Sequence, residues 1–497
     1  MTEMPFLMLD DRNDSGAPLY RQIYEAFRGA ILSGKLAAGT RLPASRVLAE
    51  QLSVARLTVV NAYEQLLAEG YTEGKTGAGT FVASKLPDDL LQIAPPAKNA
   101  EIPLQPPAAP RISKFARRVR ETRGELARYQ NSLDVVPFKN GMTAVGEFPF
   151  GVWEKLAARV YRRARYRIAG YGATAGYRPL REAVAAHFAA SRGVRCRTEQ
   201  IFITNGAQQA LDLIARVLLD AGDRVRIEDP CYQEARAVFE ATGAEIVPVP
   251  VDAEGFDPDA AQTDGESARL VYVTPSHQYP TGVTMTLARR LRLLEWARRT
   301  GAWIVEDDYN SEFRYTGRPL ASLQNLDHGG RVLYVGTFSK TIFPALRLGC
   351  LIVPENLIDV FTAARSLADW HSPVFDQATL AEFIAEGHFA RHLRKMRALY
   401  EKRQHFLVAE AEKELSGLVK LTKASSGMHL IGWLAPGLDA AKIALKARET
   451  GLHLSPLSSY CIAAKLPEGL IFGYTGFDEK QIREGVAKLK KVLESGE

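Results

Sequence analysis

The chain has 497 residues, a formal net charge of +6 and an apolar share of 46%. At that length it has room for about three domains with sizeable cores, which excludes wholesale disorder, and the small basic excess is compatible with a nucleic-acid partner without indicating one. Cys196, Cys231, Cys350 and Cys461 lack paired spacing, so neither a zinc site nor a disulfide framework is expected and a reducing cytoplasm fits. Residues 1–14 carry acids where a secretory leader has a basic start and an apolar run, and no stretch approaches ~18 uninterrupted apolar residues. Neither a signal peptide nor a membrane span is expected.

From Pro18 to about Leu32, Leu19, Ile23, Phe27, Ala30 and Ile31 recur at helical spacing, and Gly34 closes the segment. A short helix over Ala44 to Leu52 and a third over Arg56 to Glu69 follow, the latter with Val59, Val60, Tyr63, Leu66 and Leu67 on one face and Gly70 as its stop. Two short strands, Tyr71 to Glu73 and Thr80 to Val82, flank a glycine-rich hairpin. Three helices and a hairpin are the layout of a winged helix-turn-helix, whose third helix enters the major groove. Arg46, Arg56, Thr58 and Asn61 are the candidates to face DNA, with Lys75, Gly77 and Gly79 serving the wing. The alternative is a small helical protein-interaction domain, since residues 1–83 hold eight basic side chains against nine acidic ones. Against it, Arg41, Arg46 and Arg56 cluster at the turn while four of the acids precede the first helix. The segments Pro18 to Ile23, Gly39 to Arg46, Arg56 to Leu66 and Gly77 to Val82 resemble, in order, the GntR-type winged helix. Ala55 departs from that family, which has a serine capping the recognition helix there. Loss of the cap costs about 1 kcal/mol, with Ser53 as the candidate substitute.

Seven prolines between Leu86 and Pro110 mark a semi-rigid linker able to span roughly 75 Å when extended. After it, Arg111, Lys114, Arg117, Arg118, Arg120, Arg123 and Arg128 outnumber Glu121 and Glu125, which reads as a solvated helix or arm, with a second DNA contact as the alternative. From about Val135, apolar strand-like runs at Gln200 to Thr204, Asp223 to Glu228, Leu270 to Thr274, Ala302 to Glu306 and Val332 to Val335 alternate with helical segments. That alternation predicts a mostly parallel α/β sheet whose ligands collect at the carboxyl ends of the strands. The last ~120 residues mix helix and strand as a smaller α+β lobe. The expected domains are 1–83, a linker over 84–132, and 133–497.

The strand ends carry the chemistry. Gly336 to Gly349 contains Thr337, Ser339, Lys340 and Arg347, read as a lysine holding an aldehyde cofactor as a Schiff base beside a phosphate-binding set, or else as a surface lysine in a loop. Thr204 to Gln209 is a glycine turn opening a helix, with Gly206, Ala207 and Gln208 at a phosphate-accepting end. Tyr232 offers a ring to a planar cofactor or simply packs its loop. His277 or Gln278 is a candidate donor to a ring oxygen. In Glu306-Asp307-Asp308-Tyr309 a buried carboxylate would keep a pyridine nitrogen protonated. A metal site from the three acids is disfavoured, because contiguous residues on a strand alternate faces.

These elements, with Tyr171 to Glu182, resemble the fold-type I, class I/II aminotransferases that use pyridoxal 5'-phosphate. Fusion to a GntR winged helix, and the segments Ser276 to Pro280 and Glu306 to Tyr315, resemble the MocR/GabR regulators. The resemblance implies Lys340 as the Schiff-base lysine, Asp307 at the pyridine nitrogen with Asp308 left open as the alternative, and Tyr309 at the ring oxygen. It further implies Tyr232 as the stacking ring, and Gly206, Ala207, Thr337, Ser339 and Arg347 as the phosphate cradle. A head-to-tail homodimer on operator DNA, and an amine or amino-acid effector forming an external aldimine at Lys340, are also implied. The arginine that clamps a substrate carboxylate in related aminotransferases is missing from Pro467 to Tyr474, with Lys465 nearby. The expected function is therefore a cofactor-dependent regulator, with a sensor of the cofactor itself, or an active aminotransferase with an accessory module, as alternatives.

Overall fold

Apolar residues three and four apart along the first helices close into one small core. The computed structural model describes residues 17–75, 78–86, 111–130, 136–163, 169–260, 268–317 and 320–495, which fall into two compact units, Met1–Pro110 and Arg111–Glu497. In the first unit α1 (Leu19–Leu32), α2 (Ser45–Gln51) and α3 (Arg56–Ala68) precede an antiparallel hairpin of β1 (Thr72–Lys75) and β2 (Gly79–Val82). Ile23, Phe27 and Ile31 of α1 bury against Val59, Ala62 and Leu66 of α3, and the Phe27 and Tyr63 rings meet edge to face at 5.5 Å. Gly34 and Gly70, at φ 74° and 82°, end α1 and α3 in the left-handed conformation expected of a helix stop. Ala55 stands at the N-cap of α3 and no side chain caps it. The expectation that Ser53 substitutes is corrected: its backbone turns left-handed at φ 53°, and it makes no capping bond.

In the second unit α4 (Lys114–Gln130), α5 (Phe150–Arg163) and α6 (Arg178–Arg192) lead to an α/β layer. There β3 (Ile201–Thr204), α7 (Ala207–Leu218), β4 (Arg224–Asp229), α8 (Gln233–Thr242), β5 (Glu245–Asp252), β6 (Gly255–Phe256), β7 (Leu270–Val273), α9 (Leu287–Thr300), β8 (Trp303–Asp308), α10 (Leu323–Leu326), β9 (Val332–Thr337) and β10 (Gly349–Ile352) follow in turn. The sheet order is β3-β10-β9-β8-β7-β4-β5-β6. The run from β9 to β5 is parallel, as expected, whereas β10 runs antiparallel between β3 and β9. Strand alternation splits the core between the two faces: Ile201 and Ile203 join one apolar cluster while Phe202 joins another, and Cys350 and Ile352 part from Leu351 in the same way.

Two further helices return to the larger layer, α11 (Ile358–Ala368) against α7 and α12 (Val374–Ala385) against α5 and α6, and the long α13 (His388–Glu414) leads on to the smaller lobe of β11 (Val419–Leu421), β12 (His429–Leu434), α14 (Ala440–Glu449), β13 (Ser455–Pro456), β14 (Gly469–Gly473) and α15 (Glu479–Glu494). Its four strands form an antiparallel sheet ordered β11-β12-β14-β13. Among the described residues no helix is long and apolar enough to cross a membrane.

The two sheets are joined where the loop after β7 meets the loop before β12. His277 Nδ1 lies 3.2 Å from Ser426 Oγ, His429 Nε2 lies 2.8 Å from Pro280 O, and the Gly427 carbonyl accepts from the hydroxyls of both Tyr315 and Tyr474. At Gly427 φ is 107°, and an added Cβ would stand 2.4 Å from His277 Cε1. The ring is buried and hemmed in, so neither side can yield. Gly427→Ala is therefore expected to destabilise the protein by about 2 kcal/mol or more, read as a lower denaturant midpoint, whereas an unchanged midpoint would contradict this account of the joint.

Candidate functional site

Four carboxyl-terminal strand ends, the start of α8, residues 139–141 and the smaller lobe enclose a cavity of about 360 Å³. Of the residues singled out above, Ala207, Gln208, Tyr232, Asp307, Tyr309, Thr337, Ser339, Lys340 and Arg347 line it. Gly206 stands just behind the wall, at φ 84°, where a Cβ would come 3.2 Å from the Arg347 guanidinium. Its backbone, at φ 84° and ψ 177°, suits glycine, and Gly349 of β10 passes so closely that a Cβ on Gly349 would meet the Gly206 backbone at 2.9 Å.

Lys340 Nζ donates to Gly141 O at 3.1 Å. Burial is the largest influence on this amine and pushes its pKa down, with the nearby Arg347 adding to the effect and Glu234 and Asp307 opposing it. The cavity thereby favours the uncharged amine, the form that attacks a carbonyl.

Strand phase separates the three acids of β8. Glu306 accepts the amides of Leu323 and Gln324 at 2.9 Å each, near Arg290. Asp308 accepts from Tyr334 at 2.6 Å and from Arg192 Nε at 3.2 Å, away from the cavity. Asp307 enters the cavity. Its Oδ2 accepts from Tyr272 at 2.7 Å, and burial, assisted by the charge of Asp308, raises its pKa to about 7.

Three buried polar atoms on cavity-lining residues, Asp307 Oδ1, the Tyr309 hydroxyl and Ser339 Oγ, have no hydrogen-bond partner among the described residues. Buried polar groups seldom go unpaired, so these atoms point to a missing ligand. The first turn of α7 opens beside Gly206 without a side-chain cap, and Arg347, itself left-handed at φ 51°, donates to Asn205 O at 3.1 Å. One end of the cavity thus suits an anion and the other a group able to donate to Asp307. The donor set fits a pyridine ring that carries a phosphate, a phenolic oxygen and an aldehyde.

His277 is a correction: it does not line the cavity. Gln278 Nε2 ties its loop to Pro230 O and Tyr279 O at 2.7 Å each, which turns the Tyr279 ring inward and His277 back toward Gly427. There burial, then the neighbouring His429 and Arg314, push the imidazole down to about 3, so it is neutral.

Lys139, Asn140, Gly141, Glu234, Tyr279, His429, His453 and Tyr460 also line the cavity, and sequence reasoning singled out none of them for it. Asn140 Nδ2 donates to the Tyr279 hydroxyl at 2.8 Å. Asp229 accepts the amides of Ile462, Ala463 and Ala464 at 2.7–2.8 Å and so holds the loop that presents Tyr460. Among the described residues the lysines and arginines of the wall are Lys139, Lys340 and Arg347. Lys465 is exposed outside the cavity, and β14 is buried and apolar.

On the first unit, Arg46, Arg56 and Asn61 are exposed and Thr58 is half-buried. Arg56 Nε reaches Ser45 Oγ at 3.4 Å, joining the first residues of α2 and α3. Lys75 and Gly79 are exposed at the hairpin, with Lys75 Nζ 5.1 Å from the centre of the Phe81 ring, and Gly77 lies outside the described residues. Leu57, 67% exposed at the start of α3, adds an apolar contact to this face that sequence reasoning passed over.

Residues 19–82 match the model of bacterial regulatory proteins of the gntR family, and residues 143–489 match aminotransferase class I and II. The chain is 40% identical over 487 residues to a probable rhizopine catabolism regulatory protein, MocR, of Rhizobium meliloti, covering 98% of this chain and 96% of that one. It is 33% identical over 478 residues to the transcriptional regulator TauR of Rhodobacter capsulatus, covering 96% of each. The crystal structure of LysN, an α-aminoadipate aminotransferase from Thermus thermophilus complexed with N-(5'-phosphopyridoxyl)-L-leucine, superposes with a TM-score of 0.69 at 31% identity, over 77% of this chain and 97% of that one. The chain belongs to the MocR/GabR-type regulators, in which a GntR winged helix and a class I and II aminotransferase domain share one polypeptide.

Proposed function

We propose that this chain is a transcriptional regulator that binds pyridoxal 5'-phosphate in the cavity around Lys340 and senses an amine or amino acid there. The observation that carries the reading is the set of unpartnered Asp307, Tyr309 and Ser339 atoms around a half-buried Lys340, in a chain that also exposes Arg56 and Asn61 on the third helix of its winged unit. When bound, the cofactor supplies an aldehyde carbon that condenses reversibly with a primary amine. The protein supplies the rest. Lys340 offers the resident amine, and Gly141 O orients it. Asp307, braced by Tyr272, holds a proton at the ring nitrogen, while Tyr309 takes the ring oxygen and Tyr232 flanks the ring. Gly206, Ala207, Gln208, Thr337, Ser339 and Arg347 receive the phosphate through amides, hydroxyls and a guanidinium.

An incoming amine competes with Lys340 for the aldehyde. The regulator responds only as far as the two occupancies differ in their affinity for the two arrangements of the protein. The smaller lobe brings no arginine to the cavity among the described residues, which favours a sensing role over efficient turnover of amino acids. The working form is a cytoplasmic homodimer on operator DNA. Arg56, Asn61 and Arg46 read or fix the major groove, Thr58 meets phosphate, and Lys75 with the hairpin glycines meets the flanking backbone.

Two variants separate the halves of this reading. Lys340→Ala is expected to lose the near-visible absorption band of the lysine-bound cofactor while keeping the fold by circular dichroism, and an unchanged band would refute the assignment. Arg56→Ala is expected to weaken binding to a fragment from the gene's own upstream region by about 1–3 kcal/mol in fluorescence anisotropy, leaving that band intact. Undiminished affinity would place recognition elsewhere.

A further inference from the structure

α8 begins at the cavity and ends at α4. Its N-cap Tyr232 and first residues Gln233 and Glu234 line the cavity, and Glu234 is the largest charge influence on Lys340. Some ten residues and about 15 Å further on, the helix ends at Ala241 and Thr242, whose carbonyls face away from the site. Arg118 of α4 takes both, Nε to Ala241 O at 3.1 Å and Nη2 to Thr242 O at 3.0 Å. A helix end leaves its last carbonyls without intrahelical partners and carries partial negative charge, so a forked cation there satisfies both needs. The fit is close: a Cβ on the following Gly243 would stand 2.9 Å from the Arg118 guanidinium.

A second thread ties α8 to the site from its middle. Phe239, fully buried on α8, packs edge-on against Tyr272 at 5.9 Å, and the Tyr272 hydroxyl holds Asp307. What Asp307 and Lys340 hold therefore bears on α8 at its first turn and again at Phe239. What α8 does bears on α4, the first described element after the residues that run on from the winged helix.

We propose that α8 carries cavity occupancy to α4 and so to the segment leading to the DNA-binding unit, with Arg118 as the positioning residue that couples the two helices. The inference rests on reading the cavity as the cofactor and effector site. It goes beyond that reading by naming the path and the residue on which coupling depends. Packed helices shift as bodies rather than deform, so a bidentate clamp at the end of α8 transmits a tilt that a solvated arginine would not.

Hydrogen exchange of the full chain tests this, comparing protein loaded with pyridoxal 5'-phosphate, which takes Lys340, and with pyridoxamine 5'-phosphate, which leaves the lysine free. In the wild type the α8 and α4 amides are expected to differ between the two forms by roughly fivefold or more in exchange rate, the low end of ordinary coupling. In Arg118→Ala, and in Arg118→Lys, which cannot span two carbonyls, the difference should persist in α8 and vanish in α4. Arg117→Ala removes the same charge from an exposed neighbour on the same helix and should keep it. Wild-type α4 amides indifferent to the cofactor form, or an α4 response surviving in both Arg118 variants, would overturn the inference. Protein that retains neither form after desalting, recognised by the missing near-visible band with pyridoxal 5'-phosphate and the missing near-ultraviolet band with pyridoxamine 5'-phosphate, would overturn the reading of the cavity itself.

Discussion

Burying three consecutive carboxylates in one strand is the constraint around which the larger unit is arranged. An unpaired buried charge is costly, and β8 answers with a different solution for each residue. Glu306 is absorbed by two amides near Arg290, and Asp308 by Arg192 and Tyr334. Asp307, on the opposite face of the strand, is only half satisfied by Tyr272. The first two solutions fix the strand against its neighbours. The third leaves one oxygen facing Lys340's cavity, where burial makes the carboxylate charge costly and a protonated ring nitrogen would supply the missing donor and counter-charge.

The rest of the cavity follows from bringing distant segments to that strand end. Gly141 positions the lysine from residues nearly two hundred positions upstream, Asp229 draws in the loop that carries Tyr460, and His429 reaches across to Pro280 from the smaller sheet. The glycines at 206, 349 and 427 mark the places where a neighbour comes too close for an added side chain: the Arg347 guanidinium, the Gly206 backbone and the His277 ring respectively. The lobes are thus joined at the cavity rim, where an occupant alters the balance of contacts on both sides.

Much of this was legible in the chain. Lys340 and Arg347 sit in one short segment after an apolar run, and a glycine turn precedes α7, so their place at strand ends was legible, whereas a surface lysine stayed open as the alternative until the cavity brought the two segments together. The winged helix was readable because helix periodicity, glycine stops and the hairpin agree with one another. The choice between Asp307 and Asp308 depends on the phase of β8, which no local pattern reveals in a strand buried on both faces. His277 and Tyr279 are two residues apart in a loop whose orientation is set by Gln278, so which of them faces the cavity is a tertiary outcome. The antiparallel β10 is four residues long and follows a left-handed turn, too short for periodicity to register. The role of Arg118 was hidden within a basic stretch that looks solvated until α8 is seen ending against it.

In the function proposed above, occupancy of Lys340's cavity is read out on DNA. Its most direct measurement is the dissociation constant for the gene's own upstream fragment, determined at one fixed salt concentration for cofactor-free, cofactor-loaded and amine-saturated protein, with Lys340→Ala alongside. The constants are expected to change with loading in the wild type and to be unresponsive to added amine in Lys340→Ala. Equal constants in every state of the wild type would contradict it.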